Sequence, residues 1–99
     1  MPQHRHAYVL LGNLFSNLKR FEEAEEQYRE ALKINKMDPS IYVLIANVYY
    51  MNNEIERSIF SYRAAVNLRP ENDEYKLVFI QVLEDYINDA RKGDLVANF

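Results

Sequence analysis

Apolar residues recur along this chain at intervals of three and four, which is the spacing of a helix rather than the alternation of a strand. A first helix is predicted around Val9, Leu10, Leu11, Leu14, Phe15 and Leu18, with a turn at residues 17–20. A second helix begins near Phe21, and its predicted buried face is Ala24, Tyr28, Ala31 and Leu32. Acidic residues in its first turn, and Lys33 and Lys36 at its end, oppose the helix dipole.

The same pattern returns after 34 residues. Residues 5–38 and 39–72 align with eight identities, against about two expected by chance. Asp38 and Pro39 are typical of an N-cap followed by proline at the first helical position, and Pro70 and Asn72 mark the next boundary. The chain therefore contains two repeats of two helices each.

The third segment keeps only half of the pattern. Apolar residues from Val78 to Tyr86 continue the arrangement of a first helix, but Ile80 stands where the earlier units have Gly12 and Ala46. A second helix could not approach closely over Ile80. The sequence predicts a closing helix or partial third repeat over residues 73–92, ended by Gly93 at C′, and a tail over residues 93–99.

Composition removes several classes of function. The 99 residues contain no Cys and 2 Gly, and the net charge is -3. These values exclude a disulfide framework and a thiolate metal site, and they argue against a Gly-rich phosphate loop and against nucleic-acid binding. The longest apolar run is too short to span a bilayer, and no targeting segment is visible, so we expect no membrane partner and a cytoplasmic location.

Residues capable of catalysis are few. His4 and His6 are two residues apart, which places their rings on different faces of a helix and makes a metal site improbable. Paired carboxylates such as Glu22 and Glu23 are typical of a solvated helix face, since no apolar pocket is implied around them. We expect no enzyme activity, no catalytic residues, no metal site and no cofactor.

Small and aromatic residues recur in a family pattern. Tyr8, Leu11, Gly12, Phe15, Ala24, Tyr28 and Ala31 stand where a tetratricopeptide repeat (TPR) has W-x-x-L-G-x-x-Y and then A-x-x-x-F-x-x-A. The second unit matches at Tyr42, Ile45, Ala46, Tyr49, Ser58, Tyr62, Ala65 and Pro70, so residues 5–72 resemble the TPR family. The resemblance implies an all-α fold, an α-solenoid of antiparallel helix hairpins in a right-handed superhelix of about five helices. Lys36 departs from the family pattern, which usually has proline there.

The resemblance also implies that a binding groove lies on the concave wall formed by the first helix of each repeat. An apolar stripe and a row of carboxamides recur there at 34-residue spacing, and carboxamides can pair with the backbone of an extended peptide. The stripe could equally serve to pack helices, and asparagine at this place is common in the family. The predicted groove residues are Val9, Asn13, Val43, Asn47, Tyr50, Leu77, Gln81 and Glu84.

The predicted function is a non-catalytic interaction module that binds an extended peptide or a partner helix, as an adaptor or assembly scaffold. TPR proteins that hold the acidic tails of Hsp70 and Hsp90 do so with a carboxylate clamp of Lys, Asn and Arg side chains. Of the clamp positions, only Asn13 has the clamp residue in this chain, and the others are occupied by Val9, Leu44, Glu74 and Val78. We therefore expect a neutral, apolar or partly basic ligand. The alternative is a structural fragment whose apolar closing helix packs against another copy, as a homo-oligomer, or against further repeats.

Overall fold

The computed structural model describes the backbone of residues 2–97 and the side chains of residues 4–92. Within this range the chain forms helices only, as predicted. The five helices are α1 (Pro2–Asn17), α2 (Phe21–Ile34), α3 (Pro39–Met51), α4 (Ile55–Leu68) and α5 (Asp73–Ala97). Helix α1 packs on α2 and α3 packs on α4, while α2 contacts α3 and α4 contacts α5. This order of contacts confirms the predicted solenoid of helix hairpins.

Each hairpin buries the face that its spacing predicts. Ala24, Tyr28 and Ala31 of α2 are fully buried, and Leu32 is half-buried. The corresponding residues of α4, Ser58, Tyr62 and Ala65, are also buried. The core is continuous between the two units because Ile41, Ile45, Val48 and Tyr49 of α3 join the cluster around α2.

The helix ends follow from local chemistry. The Asp38 side chain caps α3, since its Oδ1 accepts a hydrogen bond from Ser40 N at 2.9 Å and Pro39 occupies the first turn. Asn72 acts in the same way before α5, accepting a hydrogen bond from Tyr75 N at 3.0 Å. Lys36 lies beyond the end of α2, in the turn that precedes Asp38. The predicted boundaries at Asp38 and Asn72 thus coincide with capping side chains.

The turn within each hairpin has the same geometry. Lys19 and Asn53, which are 34 residues apart, both adopt left-handed backbone, with φ of 62° and 61°. Arg20 N bonds to Phe15 O at 2.9 Å and Glu54 N bonds to Tyr49 O at 2.8 Å. These bonds between the residue after the left-handed one and a carbonyl five positions earlier form a Schellman ending. The repeat therefore extends to the backbone of the turn.

Helix α5 differs from the sequence prediction at its end. It does not stop at Gly93 but continues to Ala97, over 25 residues. Glycine inside a helix costs about 0.5–1 kcal/mol relative to alanine, which weakens a helix without ending it. The predicted closing helix over residues 73–92 is therefore part of a longer helix, and only Asn98 and Phe99 of the predicted tail lie outside the described residues.

Candidate functional site

A cleft lies between α1 and α3, the first helices of the two units. Its volume is about 330 Å³, within the usual range of ligand sites. The lining contains no charged side chain and combines amide, hydroxyl and apolar groups: Asn13, Ser16, Asn17, Tyr28, Leu44, Asn47 and Met51. We refer to this feature as the α1–α3 cleft. It brings together Asn13 and Asn47, two of the residues that the sequence predicts for the groove.

Both asparagines are held by a tyrosine of their own hairpin. The Tyr28 hydroxyl donates to Asn13 Oδ1, and the Tyr62 hydroxyl donates to Asn47 Oδ1. Burial raises the pKa of Tyr28, and it is also the main cause of the raised pKa of Tyr62. Each tyrosine is thus a neutral donor that fixes the orientation of one carboxamide. Sequence reasoning missed these bonds, although both residues of each pair recur with a constant offset of 15.

The two valines of the predicted apolar stripe contact the core. Val9 is half-buried against the cluster around Ala24, Tyr28 and Ala31. Val43 is half-buried against the second cluster, which contains Ala46, Tyr62 and Val82. Neither valine lines the α1–α3 cleft, whose apolar lining comes from Leu44 and Met51. The described structure thus places Val9 and Val43 in contacts between helices.

The predicted residues of α5 lie apart from the α1–α3 cleft. The Tyr50 hydroxyl of α3 donates to Asp85 Oδ2 at 3.0 Å, and Gln81 Nε2 donates to Asp85 Oδ1 at 3.0 Å. The hydrogen bond to Asp85 is the main cause of the raised pKa of Tyr50. Two predicted site residues therefore meet at one carboxylate, while Leu77 and Glu84 are exposed on α5.

The two units are joined by a polar contact that the sequence did not reveal. The Tyr49 hydroxyl of α3 donates to Glu25 Oε2 and accepts a hydrogen bond from Arg29 Nη2 at 2.8 Å. Burial, followed by the hydrogen bond to Glu25, raises the pKa of Tyr49, against the opposing effect of Arg29. The sequence suggested only that Glu25 stands one turn before Arg29. Tyr49 aligns with Phe15 of the first unit, which has no hydroxyl. The contact therefore does not recur with the repeat, and the repeat pattern could not reveal it.

Helix α1 presents an apolar face that was not predicted to be open. Leu11 and Leu14 are 43% and 59% exposed, whereas Ile45 and Val48, 34 residues later, are 1% and 2% exposed. The difference arises because α2 lies against α3 at these places. The exposed stripe consists of Leu10, Leu11, Leu14 and Leu18.

The described part of the chain holds neither a metal-binding cluster of side chains nor a membrane-spanning helix. Among residues 4–92, whose side chains the structure describes, no group of three or more His, Asp or Glu side chains could hold a metal ion. No helix in that range combines the length and the apolarity needed to cross a membrane. His4 and His6 are both exposed on α1.

Comparison with known proteins agrees with this geometry. A TPR repeat model matches residues 12–53, and a tetratricopeptide repeat model matches residues 39–72. The BBSome complex member BBS4 of Mus musculus is 33% identical over 64 residues, which are 65% of this chain and 12% of that protein. The Bos taurus protein of the same name is 31% identical over 64 residues, with the same 65% and 12% coverage. The chain thus matches about an eighth of the length of these relatives.

A solved structure shows the same fold. The Arabidopsis OM64 TPR domain superposes with a TM-score of 0.71 at 20% sequence identity, covering 82% of this chain and 67% of that chain. Hairpins with small residues at their crossings, stacked through a shared core, define the class of helical-repeat solenoids. The two family matches together span residues 12–72, and the chain belongs to the tetratricopeptide repeat family. Repeats of this family generally mediate protein–protein interaction and assembly, and they are generally non-catalytic.

Proposed function

We propose that this chain is a non-catalytic adaptor or scaffold module that binds an extended segment of a partner protein in the α1–α3 cleft. The main observation in support is that two carboxamides, those of Asn13 and Asn47, line this uncharged cleft. Each is oriented by a hydrogen bond from a tyrosine hydroxyl to its Oδ1 atom. Because each tyrosine uses the Oδ1 atom, the amide N–H groups of Asn13 and Asn47 serve to donate to carbonyl oxygens of the bound segment.

The charges in and near the α1–α3 cleft determine which kind of partner segment can bind there. Leu44 and the half-exposed Met51 offer apolar contact, and the lining carries no cation to hold a carboxylate. On α5 the acidic side chains Glu74 and Glu84 repel an anionic tail. The proposed ligand is therefore a neutral or apolar segment rather than an acidic tail of the Hsp70 or Hsp90 type, a nucleic acid or a membrane surface.

Selection from a random peptide library, followed by fluorescence anisotropy with the selected peptides, tests this proposal. Met51→Glu introduces a charge into the cleft, while Met37→Glu makes the same change at an exposed residue outside it. We expect Met51→Glu to weaken binding at least tenfold and Met37→Glu to leave it unchanged. Equal affinity of the Met51→Glu variant and the parent chain would rule out the α1–α3 cleft as the binding site.

Exposed apolar residues favour a second function, self-association or contact with further repeats. Leu77, Ile80 and Ile87 of α5 are 64%, 49% and 48% exposed, and the leucine stripe of α1 is open as well. Faces of this kind mark contacts with other chains or segments. Light scattering over a concentration series, on the parent chain and on an Ile80→Glu variant, tests this function. A molar mass that rises with concentration in the parent chain alone would support association through α5, and a constant monomer mass would exclude it.

A further inference from the structure

A second and larger cleft lies between the start of α4 and the distal half of α5. Its volume is about 600 Å³. It is lined by Asn53, Glu54, Ile55, Glu56, Arg57, Tyr86, Asp89 and Ala90. None of these residues lines the α1–α3 cleft. We call this feature the α4–α5 cleft.

The α4–α5 cleft exists because α5 is longer than the first helices of the other units. Helix α3 ends at Met51, and the chain turns through residues 52–54 into α4. Residues 52 and 54 then lie over the start of α2, where they leave only a small space of about 110 Å³ beside Phe21 and Glu22. The corresponding part of α5 remains helical up to Ala97 and forms an open wall beside α4.

The charged residues that line the α4–α5 cleft are mostly acidic. Three carboxylates, those of Glu54, Glu56 and Asp89, face one cation, Arg57. Arg57 is already engaged, because its Nη1 lies 3.8 Å from Glu54 Oε1 and its guanidinium lies 5.7 Å from the centre of the Tyr49 ring. The first unit has the same ion pair with its members exchanged, since Arg20 and Glu23 stand where the second unit has Glu54 and Arg57.

An aromatic ring and two apolar side chains complete the cleft. Tyr86 donates from its hydroxyl to Glu56 Oε1 at 3.1 Å, which holds the ring beside the carboxylate. Ile55 and Ala90 supply aliphatic surface nearby. Carboxylates next to an aromatic face and aliphatic contacts are the groups that match an arginine side chain, whose planar cation stacks on rings and whose stem is apolar.

We propose that the α4–α5 cleft receives a basic side chain, arginine in preference to lysine, from a positively charged segment of a partner protein. The guanidinium binds between the carboxylates of Glu56 and Asp89 and stacks on Tyr86, and the aliphatic stem contacts Ile55. This interaction is separate from the proposed peptide site, because the two clefts share no residue. The module thus contacts its partner with a neutral cleft and an acidic one.

The test is an NMR titration of the chain with the blocked pentapeptide Ac-Ala-Ala-Arg-Ala-Ala-amide, and with the same peptide carrying norleucine in place of arginine. We expect saturable shifts at residues 54–57 and 86–90 with the arginine peptide only. The double variant Glu56→Gln with Asp89→Asn removes two charges but keeps an acceptor for Tyr86. It should weaken binding of the arginine peptide at least fivefold.

The matched control, Glu26→Gln with Glu71→Gln, removes the same charge from exposed sites outside the cleft. It should change the affinity less than twofold. An equal loss in both double variants would show diffuse charge attraction and overturn the proposal. Shifts confined to the α1–α3 cleft, or equal binding of the norleucine peptide, would overturn it as well. The peptide site proposed above is tested separately by the Met51→Glu variant.

Discussion

The ring of Tyr28 covers Gly12, and the hydroxyl of the same tyrosine donates to Asn13 Oδ1. A β-carbon placed on Gly12 would lie 2.6 Å from Tyr28 Cδ1, which is closer than real contacts allow. One buried side chain of α2 therefore both requires a small residue on α1 and orients the neighbouring carboxamide in the α1–α3 cleft. The packing of the hairpin and the candidate site are thus coupled through Tyr28.

Enlarging Gly12 should destabilise the fold. We expect Gly12→Val to lower the free energy of unfolding by about 2 kcal/mol, because the new methyl groups displace the Tyr28 ring and break its bond to Asn13. Urea denaturation followed by circular dichroism measures this change. Leu10→Val, which adds a β-branched residue at an exposed place on the same helix, should cost at most about 0.5 kcal/mol. Similar losses in the two variants would contradict the role of Gly12.

Removing one carboxamide should leave a buried hydroxyl without its acceptor. We expect Asn47→Ala to lower the free energy of unfolding by about 1–2 kcal/mol, because Tyr62 is buried and donates to Asn47 Oδ1. Adding Tyr62→Phe removes the stranded donor, so the double variant should be less destabilised than the sum of the two single changes. A cycle of four urea denaturations measures the coupling. Strict additivity would show that the bond contributes nothing to stability.

The left-handed residues of the two turns, Lys19 and Asn53, lead to two stability predictions of opposite sign. Lys19 and Asn53 have the same positive φ, but asparagine tolerates this conformation better than lysine. We expect Lys19→Asn to raise the free energy of unfolding by about 0.5–1 kcal/mol and Asn53→Lys to lower it by a similar amount. Thermal and urea denaturation of both variants check the signs. Changes of the same sign in both variants would argue against backbone strain as the cause.

Much of the fold could be predicted from the sequence because most of its local signals occur twice, once in each repeat. The small residues at Gly12 and Ala46 and the caps at Asp38 and Asn72 each reflect local geometry that only a few residue types satisfy, and they recur with the 34-residue period. The end of α5 could not be predicted in this way. Gly93 is compatible both with a helix end and with a helix interior, and nothing repeats after it to separate the two.

The site could be predicted only in part, because the sequence shows which residues share a wall but not which neighbours they meet. The sequence places Asn13 and Asn47 on one wall because their places are separated by one whole period, and both line the α1–α3 cleft. The contacts of Tyr50 with Asp85 and of Tyr49 with Glu25 join side chains at unrelated spacings and depend on how the units stack. The bond of Gln81 to Asp85, by contrast, joins residues four apart on α5, which is ordinary helical spacing. The α4–α5 cleft likewise depends on the length of α5.

Alkaline pH should destabilise the chain through its buried tyrosines. The pKa values of Tyr28 and Tyr62 are raised above 10.0 by burial, and for Tyr62 also by the nearby Tyr50. A pKa that is higher in the folded than in the unfolded chain stabilises the fold fully below the unfolded value, and this stabilisation is lost as pH rises through the folded value. We expect the free energy of unfolding to fall above about pH 10, with each such tyrosine contributing at most about 1.4 kcal/mol per pH unit.

Urea denaturation at several values between pH 8 and 12, with absorbance at 295 nm to follow tyrosine ionisation, provides the measurement. Lysine side chains also lose protons in this pH range and can change the stability. Phenylalanine variants are therefore needed to isolate the contribution of the tyrosines. Tyr28→Phe with Tyr62→Phe lowers stability at neutral pH, because the bonds to Asn13 and Asn47 are lost, but should flatten the alkaline decline. An alkaline slope that is the same in the double variant and in the parent chain would place the pH sensitivity elsewhere, in the lysines or in Tyr49 and Tyr50, whose pKa values are also raised.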